Sequence, residues 1–329
     1  MRGRVPPARF RPAVSCCPGP GYAVRVRAHE AVLDWYEPRR AAYPWRKRPT
    51  PYRVVVSEVM LQQTQAARVE PIFRAFMRRF PSLRKLAEAS RADVIRAWAG
   101  LGYNRRAVNL HEAARTVVRD HGGRIPRDPG VLQTLPGVGP YTAAAVASIA
   151  HGEPVAAVDV NVGRIVARYH LGAEAHEEKP ARVRELVEEW LDHDRPGDWN
   201  QALMDLGRSF CRPQPKCGLC PLASGCAFRD SGRKPSPGPR RQGPFEGSMR
   251  QVRGAVIAAL RVRRSATLAG LSSSTGHDLS RVATTVATLA HEGSVLAGPV
   301  ALAGGARGRV ELGGLRLRSS AGGATPRHL

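Results

Sequence analysis

The chain has 329 residues, of which 43% are hydrophobic, so it is long enough to bury one or two cores. Its 51 Lys and Arg residues against 27 Asp and Glu residues give a formal charge of +24, which predicts attraction to phosphate or anionic lipid. No apolar stretch is long enough to cross a bilayer, so nucleic acid is the better partner. An arginine-rich proteome is the alternative explanation of this charge.

The first 27 residues are rich in Arg and Pro and contain no acidic residue. Pro12, Pro18 and Pro20 interrupt any apolar run of the kind that a secretory signal peptide needs. We therefore predict a disordered basic arm over residues 1–27 and a cytoplasmic protein.

Residues 28–229 have a helical pattern almost throughout. Apolar residues recur at spacings of three and four with charged residues between them, as at Val108, Ala114 and Val118. Turns containing Gly or Pro, such as residues 121–123 and 195–198, separate the segments, and no run alternates with a period of two. The sequence predicts an all-α core domain.

Glu58 lies in an apolar stretch, within the segment SEVMLQQTQ at residues 57–65. Three valines precede this segment, and Val59 and Met60 follow Glu58 directly. Burial in such a helix would raise the pKa of the carboxyl group, which would keep it protonated near neutral pH. A solvent-facing glutamate on an amphipathic helix is the alternative.

The segment LPGVGPYT at residues 135–142 precedes a helix of small residues. Gly137 and Gly139 remove side chains where a backbone must approach closely, and the N-terminus of the following helix presents unpaired N–H groups. This pattern is typical of a helix-hairpin-helix that holds a DNA phosphate without reading base sequence. A tight turn without a ligand is the alternative.

A second acidic residue, Asp159, interrupts an apolar run directly before a helix. It fits a helix N-cap. It also fits one half of a carboxyl pair, because glycoside chemistry places one protonated acid and one carboxylate beside a cation-like sugar. Glu58 and Asp159 are candidates for that pair.

Four cysteines, Cys211, Cys217, Cys220 and Cys226, are separated by five, two and five residues. Four thiolates in so short a loop repel one another unless a metal neutralises them. Disulfides are rare in cytosolic proteins, and a zinc ribbon prefers two C-x2-C pairs where this loop has one. The loop favours a [4Fe–4S] cluster, with zinc as the alternative.

Residues 230–247 are rich in Pro, Gly, Ser and Arg and are predicted to form a linker. The segments that follow predict helices at residues 251–261 and 279–291, a weaker helix at 266–271, and strands at 295–302 and 309–317. Residues 248–318 therefore resemble a winged helix, either as a second DNA-contacting module or as a packing appendage. Residues 319–329 are predicted to form a disordered tail.

Taken together, these motifs resemble the MutY family of A/G-specific adenine DNA glycosylases, in the helix-hairpin-helix superfamily that includes endonuclease III. The resemblance is carried by PWR at 44–46, SEVMLQQTQ, GLGY at 100–103, the LPGVGPYT hairpin, VDVNVGRI at 158–165, ALMDLG at 202–207 and the four cysteines. It implies an all-α, two-lobed helix-hairpin-helix glycosylase fold with a [4Fe–4S] loop at 211–226. It also implies a monomer that binds double-stranded DNA carrying a mispaired adenine.

The resemblance also assigns catalytic roles. Glu58 matches the acid that protonates adenine and later positions water, and Asp159 matches the carboxylate that stabilises the sugar cation. Tyr141 and Asn161 match helpers around that site. Endonuclease III-type lyases carry a lysine at the position of Tyr141 and form a Schiff base with the sugar, so strand cleavage is not expected from this chain.

The remaining matched residues contact DNA or the cluster in the family. Trp45 and Arg46 match residues near the extruded base, and Gln62, Gln63 and Tyr103 match residues that fill the opened base stack. The hairpin residues that match a phosphate-binding surface are Leu135, Gly137, Val138 and Gly139. Arg212 and Lys216 match a phosphate-facing surface beside the four cysteines, which match the ligands of the [4Fe–4S] cluster.

Two features depart from the family pattern. The gap between Cys211 and Cys217 is one residue shorter than usual, and the winged-helix-like unit stands where the family usually has a Nudix-like domain that recognises 8-oxoguanine. The base opposite adenine, guanine or 8-oxoguanine, therefore stays open. Two rival functions also stay open: a thymine or uracil mismatch glycosylase, because Tyr141 also occurs in related thymine glycosylases, and a non-catalytic iron–sulfur DNA-binding regulator.

Overall fold

The computed structural model describes residues 20–238 and 243–313. The helices up to residue 238 are α1 (Pro20–Tyr36), α2 (Pro44–Lys47), α3 (Pro51–Leu61), α4 (Ala66–Arg79), α5 (Leu83–Glu88), α6 (Arg91–Ala97), α7 (Arg105–Asp120), α8 (Pro129–Gln133), α9 (Pro140–His151), α10 (Val160–Val166), α11 (Pro180–Glu189), α12 (Pro196–Ser209) and α13 (Ala227–Asp230). Short 3-10 helices lie at Glu37–Ala42 and Cys217–Leu219, and a π-helical turn lies at Ala167–Leu171. No strand occurs among residues 20–238, so the prediction of an all-α core is confirmed.

Helix α1 begins inside the segment that the sequence predicts to be a disordered arm, so that prediction is wrong for residues 20–27. Ala28, Val32 and Tyr36 recur at helical spacing and are buried, and the helix they anchor extends upstream. Pro20 begins the helix, where its missing N–H costs no helical hydrogen bond. Residues 1–19 lie outside the described residues.

The helices form two lobes, each around its own hydrophobic core. The first lobe comprises α2–α9, with Met60, Phe73 and Trp98 among its fully buried residues. The second lobe comprises α1 and α10–α12 around Trp190 and Trp199. Helix α9 packs against α3 in the first lobe and against α12 in the second, so it joins the two lobes.

The C-terminal domain contains α14 (Met249–Arg263), β1 (Ser265–Thr267), α15 (Leu268–Thr275), α16 (Leu279–His291), β2 (Val295–Ala297), α17 (Pro299–Leu302) and β3 (Arg309–Leu312). The three strands form an antiparallel sheet in the order β1-β3-β2, with Ala266 opposite Val310 and Leu296 opposite Glu311. The domain therefore combines four helices with this small sheet, and its resemblance to a winged helix stays a prediction.

Three details of this domain differ from the prediction. Strand β1 was not predicted, because a strand of three residues is too short for alternation to show. Residues 299–302 form a helix rather than strand, since Pro299 cannot donate to a ladder but fits the first helical turn. Strand β3 ends at Leu312, and the predicted tail at 319–329 lies outside the described residues. No described helix is both long and apolar enough to span a bilayer.

Candidate active site

Glu58 is buried near the end of α3, with 7% of its surface exposed. The phenol Oη of Tyr141, on α9, donates a hydrogen bond of 2.9 Å to Glu58 Oε2. Burial raises the pKa of Glu58 from 4.5 to about 6, although the Tyr141 hydrogen bond and the charge of Arg46 both lower it. The alternative of a solvent-facing glutamate is therefore wrong, and Glu58 holds a proton far more readily than an exposed carboxyl group.

Asp159 is the N-cap of α10. Its Oδ1 accepts hydrogen bonds from the backbone N–H groups of Asn161, at 2.8 Å, and Val162, at 2.7 Å, and its Oδ2 accepts one from Asn161 Nδ2 at 2.9 Å. The positive end of the helix dipole favours a negative charge at this position. Asp159 lies close enough to Glu58 for its charge to raise the pKa of Glu58.

Arg164, which the sequence reasoning missed, links this site to the cysteine loop. Its Nη2 donates to Asn161 Oδ1 at 2.7 Å, and its Nε donates to the carbonyl oxygen of Cys211 at 2.7 Å. A continuous chain of hydrogen bonds therefore runs from the Cys211 backbone through Arg164 and Asn161 to the Asp159 carboxylate. The only sequence signal for a role of Arg164 was its spacing from Asn161: Arg164 lies about one helical turn after Asn161 on α10, so the two side chains are on the same face.

Gly207 on α12 allows this helix to lie close to Asn161 on α10. A Cβ atom at Gly207 would lie 2.6 Å from the Cβ atom of Asn161, closer than real side chains approach. Helix α12 therefore packs directly against α10 at the residue that holds Asp159. This contact gives a physical reason for the glycine in the segment ALMDLG.

Arg46 and Trp45 have different environments although they are neighbours in sequence. The Arg46 guanidinium forms two hydrogen bonds with the carboxylate of Asp205 on α12, at 2.6 and 3.0 Å, and lies close enough to Glu58 to lower its pKa. Trp45 is 5% exposed and stacks on Tyr43 in the core of the first lobe. Arg46 is therefore placed at the candidate site, whereas Trp45 supports it from the core.

Gln62, Gln63 and Tyr103, which we call the wedge, lie on two adjacent loops. Gln62 caps the C-terminal end of α3 and donates to Thr142 Oγ1 at 3.3 Å, and Tyr103 is 46% exposed. Gln63 has φ +53° and Tyr103 has φ +45°, in the left-handed region that non-glycine residues rarely adopt. Strained backbone of this kind concentrates at functional positions.

Arg106, in the first turn of α7, holds both wedge loops and was also missed. One terminal nitrogen donates to the carbonyl oxygens of Val59, Met60 and Gln62 at the end of α3. The other donates to the carbonyl oxygens of Leu101 and Gly102, which precede Tyr103. A sequence signal existed, since an arginine in the first turn of a helix opposes the helix dipole and so indicates another role.

The predicted hairpin lies between α8 and α9. Gly137 has φ +76°, and a Cβ atom there would lie 2.7 Å from the Cβ atom of Asn109. Leu135 and Val138 are buried, and the Val138 amide donates to the Leu135 carbonyl oxygen at 3.1 Å. Within the described part of the chain, the amides of Gly137 and Gly139 have no hydrogen-bond acceptor. These two amides are therefore available to an acceptor from outside the protein, whereas the Leu135 and Val138 side chains anchor the turn.

The four cysteine side chains are free thiols that line one cavity together with Leu222 and Phe228. Burial raises the pKa of Cys220 to about 11, and Arg168 Nη1 lies 3.7 Å from Cys211 Sγ. Among the residues described, no three His, Cys, Asp or Glu side chains converge as ligands of a single ion. Four thiols distributed around one partly apolar cavity are the donor set that a [4Fe–4S] cluster takes. Arg212 and Lys216 are exposed on this loop.

Comparisons with known proteins agree with this arrangement. Residues 56–193 match the HhH-GPD superfamily of base excision DNA repair proteins. The chain is 46% identical over 235 residues to an adenine DNA glycosylase of Mycobacterium tuberculosis, and this alignment covers 70% of this chain and 77% of that protein. It is 44% identical over 211 residues to the human adenine DNA glycosylase, over 60% of this chain and 39% of that protein.

Among solved structures, a thermostable thymine-DNA glycosylase aligns with a TM-score of 0.59 and 30% identity, over 64% of this chain and 99% of that chain. Identity at this level over nearly the whole of that structure shows that the two share the glycosylase fold. The sequence match to the mycobacterial protein is longer and stronger. The chain belongs to the adenine DNA glycosylase family, within the helix-hairpin-helix superfamily of base excision DNA repair proteins.

Proposed function

We propose that this adenine DNA glycosylase removes adenine that is paired with guanine or 8-oxoguanine, and that Glu58 and Asp159 carry out the chemistry. The observation that carries the proposal is the contrast between the two carboxyl groups. Glu58 is buried, with its pKa raised to about 6, whereas Asp159 accepts three N–H hydrogen bonds at a helix N-terminus. One group suits a proton donor and the other suits a carboxylate, as glycoside hydrolysis requires.

Glu58 acts first, as the general acid. Adenine leaves poorly as an anion, so a proton moves from the Glu58 carboxyl group to a ring nitrogen of adenine. The bond between C1′ of the sugar and N9 of adenine then breaks, and its electron pair stays with the base. General acid catalysis of this kind contributes about 10²–10⁴-fold to the rate.

Asp159 stabilises the cation that this cleavage leaves on the sugar. The carboxylate is fixed before the reaction by Asn161, Val162 and the N-terminus of α10, so it need not reorganise as charge develops. Glu58, now ionised, accepts a proton from the attacking water as the water oxygen bonds to C1′. This step restores the acid and leaves an abasic site.

The geometry favours base removal without strand cleavage. Strand cleavage by a lyase requires an amine that forms a Schiff base with the sugar, and the phenol of Tyr141 cannot do this. In the described residues, no lysine amine contacts Glu58 or Asp159. We therefore expect strand breaks only after alkali or heat.

Extrusion of the adenine is assigned to the wedge. The exposed ring of Tyr103 and the side chains of Gln62 and Gln63 would occupy the opened base stack, while the free amides of Gly137 and Gly139 bind a phosphate. Opening a base pair costs a few kcal/mol, and a mispair lowers that cost. The net charge of +24 favours DNA binding regardless of sequence.

Cys211, Cys217, Cys220 and Cys226 would hold a [4Fe–4S] cluster, which fits the single cavity that their thiols line. When bound, such a cluster closes the loop through thiolate ligands and so stabilises it. The loop then fixes the Cys211 carbonyl oxygen, to which Arg164 donates, and presents Arg212 and Lys216 to the DNA backbone.

A thymine mismatch glycosylase is the second candidate, because the thermostable thymine-DNA glycosylase has the same fold. The family resemblance also implies a tyrosine at the position of Tyr141 in related thymine glycosylases. The test is single-turnover base release from A:G, A:8-oxoguanine, T:G and A:T duplexes of one sequence. We expect adenine release from the first two and none from T:G. Thymine release from T:G without adenine release would overturn the proposal, and binding without release of either base would indicate a DNA-binding regulator.

A further inference from the structure

The core of the C-terminal domain is continuous with the first lobe. Ile95 of α6 and Val108 of α7 belong to the same buried cluster as Val256, Leu260 and other residues of the C-terminal domain. Ile95 and Leu260 are fully buried, which shows that the domain is packed against the lobe rather than tethered to it by the linker alone. The surface beside α6 and α7 is therefore built partly from the C-terminal domain.

Arg261, on α14, fixes this domain next to the wedge. Its Nη2 donates to Asn104 Oδ1 at 2.7 Å, and its Nε donates to the carbonyl oxygen of Ile95 at 3.2 Å. Asn104 directly follows Tyr103 and is only 9% exposed, so this contact lies at the base of the wedge. The residues that follow Arg261 are therefore held close to the point where the base stack opens.

Those residues are Val262, Arg263 and Arg264, which we call the basic turn. All three are exposed, and the apolar side chain of Val262 is 85% exposed. Arg264 has φ +60°, its N–H donates to the Leu260 carbonyl oxygen at 3.1 Å, and its carbonyl oxygen accepts from Leu312 N–H at 3.3 Å. Helix α14 and strand β3 thus hold the turn in a strained conformation.

Strained backbone occurs both in the wedge and in the basic turn. Among the residues the structure describes, three non-glycine residues have positive φ: Gln63, Tyr103 and Arg264. The first two belong to the wedge, and the third belongs to the turn that Arg261 fixes beside it. Such conformations are unfavourable for residues with a side chain and persist where the surroundings impose them, most often at functional sites.

The charges of the basic turn are not neutralised by the protein. In the described ranges, the guanidinium groups of Arg263 and Arg264 form no ion pair, whereas Arg91 pairs with Glu112 and Arg253 pairs with Glu292. Exposed guanidinium groups without a carboxylate partner suit a phosphodiester group, whose two non-bridging oxygens accept two parallel N–H bonds from an arginine.

We propose that Arg263 and Arg264 bind the DNA phosphates that flank the mispair, so that the C-terminal domain helps to hold the duplex open around the wedge. The inference rests on the proposed function, because it uses the wedge to locate the mispair. The partner is the phosphate backbone of duplex DNA, and the contact carries no base sequence information.

The test compares two charge-matched double variants of the full chain. Arg263→Ala/Arg264→Ala removes the basic turn, and Arg115→Ala/Arg119→Ala removes two charges from α7, about 16–22 Å along the helix from Asn104. The probe is a duplex with 8-oxoguanine opposite 2′-fluoroadenosine, which resists cleavage. We expect the first variant to bind about tenfold more weakly than the wild type. The slope of the logarithm of its binding constant against the logarithm of salt concentration should be shallower by about one to two, and the control should stay close to wild type in both.

Neutral methylphosphonates locate the contact on the DNA. Replacing phosphates next to the mispair should weaken wild-type binding but not weaken Arg263→Ala/Arg264→Ala further, because the two changes remove the same interaction. Arg263→Lys/Arg264→Lys should restore most of the salt slope. Wild-type affinity and slope in the alanine variant would overturn the inference, as would an equal loss in the control variant. Failure of the wild type to release adenine would instead contradict the proposed function.

Discussion

The phenol of Tyr141 donates a hydrogen bond of 2.9 Å to Oε2 of Glu58, joining α9 to α3 at the candidate active site. This bond stabilises the ionised form of Glu58 and lowers its pKa, in opposition to burial, which raises it. The pKa of about 6 is therefore a balance between the two effects. Changing either effect should move the pH range in which Glu58 can donate a proton.

Tyr141→Phe should move the pH dependence of excision upward. The protonated fraction of Glu58 falls tenfold for each pH unit above its pKa, and the rate falls with it. Without the hydrogen bond the pKa rises, so the falling limb of the single-turnover rate moves to higher pH. The ratio of the variant rate to the wild-type rate should therefore increase between pH 6 and pH 8. Tyr52→Phe is the control: it removes a hydrogen bond to the Phe80 carbonyl oxygen and should leave the pH profile of the rate unchanged. A ratio of Tyr141→Phe rate to wild-type rate that stays constant with pH would contradict the account.

Gly207→Ala should reduce excision without unfolding the protein. The added Cβ atom would meet Asn161 at 2.6 Å and displace the residue that holds Asp159. Misplacement of a catalytic group by about 1 Å costs about 10²-fold in rate, which is the loss we expect in single-turnover assays. Gly254→Ala on α14 is the control, because a Cβ atom there meets nothing within 4 Å. Equal rates for the two variants would show that the α10–α12 contact does not position the site.

Arg106→Lys should weaken base opening rather than the chemistry. A lysine ammonium cannot reach the carbonyl groups of both wedge loops, so the strained conformations of Gln63 and Tyr103 should relax. We expect adenine excision from a mispair to fall about tenfold or more. The loss should shrink when adenine lies opposite an abasic site, because an unpaired base costs less to extrude. Arg119→Lys, at the other end of α7, serves as the control and should excise adenine at the wild-type rate. If Arg106→Lys lost the same factor in excision rate on both duplexes, a role for Arg106 in base opening would be contradicted.

Cys220→Ser should remove iron and labile sulfide from the purified protein and lower its soluble yield, because the loop loses a ligand. Cys16→Ser, outside the cysteine loop, should retain both. Excision by Cys220→Ser should also fall, since Arg164 donates to the Cys211 carbonyl oxygen as well as to Asn161. One zinc ion per chain in the wild type, without iron or sulfide, would contradict the cluster.

The sequence predicted the parts of the site that depend on local pattern. The apolar neighbours of Glu58 indicated its burial, and the position of Asp159 before a helix indicated its N-cap geometry. Arg106 and Arg164 were missed because some of their partners, Val59 and Cys211 among them, lie more than 40 residues away in sequence, so helical periodicity does not show which segments these arginines join. For the same reason, the contact between Arg261 and Asn104 became visible only in the folded chain.

The most direct test of the account is single-turnover release of adenine from an A:8-oxoguanine duplex by the wild type, Glu58→Gln and Asp159→Asn. Both substitutions keep the size of the side chain but remove the proton donor or the carboxylate, so we expect each rate to fall by at least about 10²-fold. Mispair binding measured on the same duplex should survive in both variants. A near-normal rate in Glu58→Gln would show that the acid is elsewhere and would contradict the assignment of the two carboxyl groups.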